Sequence, residues 1–214
     1  MNKLKKLIKV ALVATGIAAF APLAQAKVCD VYDLEHHFYV PEFFEYMASR
    51  KTPPRFIPGD PTATDPMDRV GRFDIGQKTQ YYMVDDQITN LTDFTEARIT
   101  AMNAAGVDVA VMSTSPMLEA LPREEAIRLS KLSNDRVAAY RKEHPGRILG
   151  SATLPTVWVD AATNELERCV KELGFKYWHT HAHYVTEDGQ TNFLWEAKFA
   201  PLLKKADELG VATN

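Results

Sequence analysis

From Leu91 onward, hydrophobic and polar positions fall into alternating helical and extended patterns. The first predicts a helix over residues 92–105, capped by Thr92 or Asp93 and ended by Gly106. The β-branched run 107–112 predicts a strand, followed by the polar turn Ser113-Thr114-Ser115-Pro116. Ala126, Ile127, Leu129, Leu132, Val137 and Ala138 recur at helical spacing, which predicts a long helix over 123–143 broken by His144-Pro145-Gly146. A strand over 148–154 closes at Pro155. Asp160 is then read as the cap of a helix over 161–173, ended by Gly174. Residues 175–183 read as a strand, Asp188-Gly189 as a turn and 193–209 as helical. Gly210-Val211-Ala212-Thr213 begins another strand.

Upstream, residues 31–38 read Val-Tyr-Asp-Leu-Glu-His-His-Phe, a first strand, and 41–50 form a short helix. Residues 51–90 carry Pro53, Pro54, Pro58, Pro61 and Pro66 with Gly59, Gly71 and Gly76, and read as irregular. Loops of that length serve as lids or binding loops, or are solvated insertions. The order of elements is strand, helix, strand, helix, which means parallel strands with helical crossovers and an α/β fold. No Gly-x-Gly-x-x-Gly or Walker pattern follows a strand. Polar residues gather instead at the C-terminal strand ends, which suits a (βα)8 TIM barrel. A whole barrel takes roughly 250 residues. The elements here make about four βα units and the start of a fifth strand, so the expectation is a barrel truncated after about four units.

Residues 1–26 stand apart. Lys3, Lys5, Lys6 and Lys9 precede an apolar run over 10–24, and Ala24-Gln25-Ala26 gives a small-x-small site. This is the order of a cleaved signal peptide, leaving 27–214 as the barrel portion and, in a Gram-negative host, a periplasmic protein with no stable membrane insertion. A net charge of -3 gives no reason to expect nucleic acid as a partner. The two cysteines, Cys29 and Cys169, fit either a disulfide or two buried thiols, and no Cys-x-x-Cys is present.

Alternation along a strand puts Glu35 and His37 on one face and His36 on the other. A carboxylate and an imidazole side by side make half of a metal site. On spacing alone, a strand-end pair without metal is the plainer reading. His179, His181 and His183 alternate along the fourth predicted strand, a row that can bind a transition metal or serve as hydrogen-bonded rim histidines. Ser113 and Thr114 follow the second strand of the repeat, where they can donate to a substrate carboxylate; no base stands near Ser113 to make it a nucleophile. Trp158, Trp178 and Trp195 read as packing residues.

Taken in order, these segments resemble the amidohydrolase-related family of mononuclear metal barrels, in the branch of aminocarboxymuconate semialdehyde decarboxylase and gamma-resorcylate decarboxylase. Leu34-Glu35-His36-His37-Phe38 is similar to the family's first-strand Glu-x-His motif. Ala97-Arg98-Ile99 with Ala105-Gly106-Val107-Asp108, Ser133-Asn134-Asp135, Pro145-Gly146-Arg147-Ile148-Leu149-Gly150 with Leu154-Pro155, and Leu173-Gly174-Phe175-Lys176 are similar to later elements. The resemblance implies Glu35 and His37 as ligands to a divalent ion, zinc or manganese. It implies further ligands and a catalytic Asp from later strands, so that this sequence corresponds to the N-terminal part of such an enzyme, and it leaves no catalytic residue assigned here. Residues at the fourth strand would line the pocket, which makes His181, with Ser113, a substrate contact. The His row departs from the small polar residues typical near His181. The implied activity is metal-dependent decarboxylation of an aromatic or enol-type carboxylic acid, with a homo-oligomer possible at full length. The alternatives are hydrolysis of a lactone or amide in the same barrel, or a non-catalytic truncated chain.

Overall fold

The computed structural model describes residues 30–76, 79–84, 86–114, 117–186 and 188–213. The expected signal peptide and Cys29 lie outside these residues, as do Ser115 and Pro116. Strand β1 (Tyr32–Phe38) is followed by helix α1 (Pro41–Ser49), which starts on Pro41, where the missing amide proton costs nothing. The next segment carries three short strands, β2 (Arg55–Ile57), β3 (Arg72–Gly76) and β4 (Thr79–Tyr82). Then come α2 (Gln87–Thr92), α3 (Glu96–Ala104), β5 (Val109–Thr114), α4 (Arg123–Glu143), β6 (Ile148–Ala152) and α5 (Val159–Lys171). The chain continues through β7 (Tyr177–Trp178), β8 (His183–Val185), β9 (Thr191–Phe193), α6 (Ala200–Glu208) and β10 (Ala212–Thr213).

Five strands form one sheet in the order β1-β5-β6-β7-β10, every pair parallel. The crossovers carry the helices, so the βαβ alternation in the sequence gives the half-barrel expected of it. β5 is buried along its whole length, as a parallel strand covered on both faces must be. Gly106 and Gly174 end α3 and α5 with φ of 73° and 71°, a backbone that side-chain-bearing residues avoid.

Four sequence expectations change. Residues 51–90 are not irregular: β2, β3 and β4 form an antiparallel sheet. Phe56 and Phe73 are buried there, their rings 5.2 Å apart, and they meet Phe44 of α1 at 5.3 and 5.7 Å. Each such ring contributes roughly 1.5–3 kcal/mol on burial, enough to hold strands that no local period announces. The strand expected over 175–183 ends at Trp178, and His183 belongs instead to the β8–β9 hairpin. The helix expected over 193–209 is preceded by β9 and begins, as α-helix, at Ala200. The caps shift as well. Thr95, not Thr92 or Asp93, caps α3 by accepting from the Ala97 amide, while Asp93 holds Thr95 in place. Asp160 lies inside the first turn of α5, where it accepts from Arg123. The Cys169 thiol is buried 3.6 Å from Glu165 Oε1, and burial pushes its pKa up. Trp178 is fully buried, whereas Trp195 is exposed and stacks on Phe193 at 4.3 Å. Among the described residues, no helix is long and apolar enough to cross a membrane.

Candidate metal centre

β1 and β5 pair in parallel with His37 opposite Ser113. That register brings the Ser113 hydroxyl 3.2 Å from His37 Nδ1. The strand shifts register between Asp33 and His36, and His36 turns to the other side, its Nδ1 2.7 Å from Asp33 Oδ2. Burial lowers the His36 pKa, with Asp33 opposing and the Arg98 charge adding to the effect. His36 is thus a structural residue, as alternation along the strand implies.

On the side of His37 lies His179, one residue past the end of β7. The two rings are 5.5 Å apart and inclined at 58°. His179 is only 9% exposed, and its Nδ1 is buried with no hydrogen-bond partner among the described residues. Burial lowers its pKa first, and the neighbouring His37 and His181 lower it further, while Glu35 acts in the opposite sense. His37 and His179 therefore stand side by side at the C-terminal rim of the sheet. Glu35 itself is exposed. Among the described residues, no three His, Cys, Asp or Glu side chains already converge on one point.

The row continues to His181, whose ring stands edge-on to His179 at 5.5 Å. His181 Nδ1 is 3.7 Å from Glu119 Oε1. Glu119 is 3% exposed, and its other oxygen accepts from the Met117 amide at 3.2 Å. Its backbone carbonyl accepts from Val157, which fixes the β5–α4 loop against the β6–α5 loop. Glu119 also lines a groove of about 450 Å³ between the β2–β3–β4 sheet, through Pro54 and Ile75, and the β8–β9 hairpin, through His183 and Tyr184. Neither Glu35 nor His37 lines this groove.

The structure therefore brings together His37, Ser113, His179, His181 and Glu119, while Glu35 is exposed on the same strand as His37. Ser113 is buried with its hydroxyl on His37, and the Thr114 hydroxyl meets Thr153 Oγ1 at 3.1 Å. His183 leaves the row; its ring faces Phe193 at 6.0 Å. Glu119 was not singled out in the sequence. Its signal was a lone carboxylate within the apolar run Met117-Leu118-Glu119-Ala120-Leu121, a residue that has to be buried by its neighbours.

Carboxylate and imidazole donors fit a borderline or hard divalent ion. The fit is strengthened by His37, whose Nδ1 is engaged by Ser113 so that Nε2 is left for an ion.

Comparison with known proteins gives the family and the fold. Gamma-resorcylate decarboxylase of Rhizobium radiobacter is 30% identical over 181 residues, which cover 83% of this chain and 47% of that protein. The structure of a 2,6-dihydroxybenzoate decarboxylase complexed with 2,6-dihydroxybenzoate superposes with a TM-score of 0.64 at 26% identity, covering 86% of this chain and 49% of that one. A dihydroxybenzoic acid decarboxylase from Polaromonas sp. JS666, solved with manganese and 2-nitroresorcinol, shares the fold with a TM-score of 0.64 at 21% identity, over 86% and 48% of the two chains. The chain thus spans about half the length of the relatives it matches. The Amidohydrolase family profile matches residues 32–213, and the chain belongs to that family.

Proposed function

We propose that this chain carries the first half of the active site of a metal-dependent decarboxylase acting on an aromatic or enol-type carboxylic acid. The observation that carries the reading is the rim itself: Glu35 and His37 at the end of β1, with Ser113 holding His37 by its Nδ1. The gamma-resorcylate and 2,6-dihydroxybenzoate decarboxylases it resembles support the substrate class. Manganese in the Polaromonas enzyme supports a divalent ion, with zinc compatible with the same donors.

Glu35 and His37 would hold the ion. Bound there, it supplies Lewis acidity and a template for the oxygens of the acid. Ser113 keeps the His37 ring in one tautomer and orientation. His181, partly exposed beside the ligands, donates a hydrogen bond to a substrate oxygen from the nitrogen not facing Glu119. The buried wall formed by His179 and Glu119 keeps water from that side of the substrate. The proton that replaces carbon dioxide on carbon is assigned to none of the described residues.

The test is release of carbon dioxide from 2,6-dihydroxybenzoate by a metal-loaded protein that joins this chain to the remaining strands of the barrel, with Glu35→Gln as the comparison. Release that depends on Glu35 supports the reading. A folded, metal-loaded protein that leaves the acid intact, or that opens a lactone instead, sinks it. The basic and apolar order of residues 1–26 supports export, for which N-terminal sequencing should read Lys27 first.

A further inference from the structure

Glu119 is 3% exposed, and a carboxylate that deep in a protein is ordinarily paired with a cation. Its surroundings supply little. Oε2 accepts from the Met117 amide at 3.2 Å, and Met117 takes up a φ of 135° to present it. Oε1 faces His181 Nδ1 at 3.7 Å, too long for a hydrogen bond. That nitrogen is itself buried, with no hydrogen-bond partner among the described residues. No Lys or Arg of the described residues pairs with Glu119.

Glu119 lines the groove of about 450 Å³ between the β2–β3–β4 sheet and the β8–β9 hairpin. Pro54, Ile75, Met117 and Leu121 give this groove apolar walls, and His183 and Tyr184 close its hairpin side. Among the described residues, no Lys, Arg or second carboxylate lines it. A cavity of this size, apolar with one or two polar anchors, is the usual form of a small-molecule site. The anchor here is an acidic group that the protein itself leaves without a cation.

The hydrogen-bond inventory narrows the ligand. In the reading above, His181 donates from Nε2, which leaves Nδ1 bare. Nδ1 and Glu119 Oε1 are then two acceptors side by side, and neither satisfies the other. A hydroxyl has one proton and serves one of them. An ammonium has three, serves both, and brings the charge that a buried carboxylate needs.

We propose that this groove binds a primary ammonium group carried on an apolar body, with Glu119 as the anchor and His181 Nδ1 as the second acceptor. The proposal takes only the His181 tautomer from the reading above. It needs neither Glu35 nor His37, which do not line the groove.

The test uses the full 214-residue chain, treated with a chelator and titrated at pH 7 with benzylamine or with benzyl alcohol. The two probes share a ring and differ in carrying an ammonium or a hydroxyl. Calorimetry reads the affinities, and the imidazole resonances of His181 and His183 report where the ligand sits. Benzylamine should bind at least roughly tenfold more tightly than benzyl alcohol, and should shift both resonances. Glu119→Gln keeps the shape, removes the charge, and should bring the two affinities to within about twofold of each other. Glu124→Gln, an exposed position on α4, should leave the preference as it is. The comparison of the two probes on the unmutated chain stands even if Glu119→Gln does not fold. Equal affinities there, tighter binding of the alcohol, or a preference that survives in folded Glu119→Gln would overturn the proposal. So would a folded chain that does not bind benzylamine, since the groove then holds only water. No metal and no carboxylic acid enter this experiment, so its failure and the failure of the decarboxylase reading are told apart.

Discussion

Ser113 Oγ lies 3.2 Å from His37 Nδ1, across two strands whose parallel register sets these residues opposite each other. Ser113 is buried, so its hydroxyl has little else to serve. This contact orients His37 toward the rim and selects its free nitrogen. Ser113→Ala should fold normally, because it removes one oxygen and adds no bulk. Its affinity for Co²⁺ or Mn²⁺ should fall by about 10–100-fold, the usual cost of losing a partner behind a metal-ligating histidine. Calorimetric titration checks this, and an unchanged affinity would mean that Ser113 plays no part in positioning His37.

A second contact holds the rim from outside. Asn134 of α4 is buried, donates to the Thr153 carbonyl at 2.9 Å and accepts from the Thr153 amide at 2.9 Å. It thereby completes the backbone pairing just where β6 ends, and its amide also donates to Glu165 of α5. Asn134→Ala would leave both Thr153 backbone groups buried and unpaired. A loss of about 2–4 kcal/mol is expected in urea unfolding. Asn134→Asp keeps the acceptor but not the donor, and should fall between the two.

Much of this framework was legible in the sequence because it is local. The helix over Arg123–Glu143 follows from its apolar spacing and from the His144-Pro145-Gly146 break, and both of its ends are as read. Ser113 stands near His37 because the βα repeat fixed which strands are neighbours. What was not legible depends on distant partners. β2 has three residues and β3 five, too few to show a period, and they exist because Phe56 and Phe73 find each other and Phe44. The chain after Trp178 carries alternating histidines that mimic a strand, yet β8 pairs with β9 and draws His183 away from His179. Glu119 was hidden because one loop carboxylate says nothing until His181 is placed beside it.

Gly150 offers a test of packing within the sheet. A Cβ built there would stand 2.3–2.7 Å from ring atoms of Phe175, a fully buried side chain at the entry to β7. The backbone at Gly150 is ordinary, so the demand for glycine is steric. Gly150→Ala should cost about 1–3 kcal/mol by forcing the ring off its place. Pairing it with Phe175→Leu should cost less than the sum of the two single changes, since the smaller side chain yields the space. Additive losses in the double-mutant cycle would rule out the contact as the cause.

Tyr140 supplies a pH dependence whose sign can be worked out. Its hydroxyl donates to the Thr95 carbonyl at 2.8 Å, tying α4 to the start of α3, and burial pushes its pKa up to about 12. In the unfolded chain the phenol has its ordinary value of about 10. Between those two values the unfolded state has released a proton that the folded state still holds, so folding stability falls as pH rises. The contribution is fully present below about pH 10 and is lost as pH approaches 12. Tyr184, also buried and raised, adds in the same direction. Urea unfolding at pH 8 and pH 11 should therefore show a loss for the unmutated protein, and a smaller loss for Tyr140→Phe. Phe at this position should be the less stable protein at pH 8, because the bond to Thr95 is gone, and the gap between the two should narrow at pH 11. A gap that stays constant across the two pH values would show that Tyr140 ionises alike in both states.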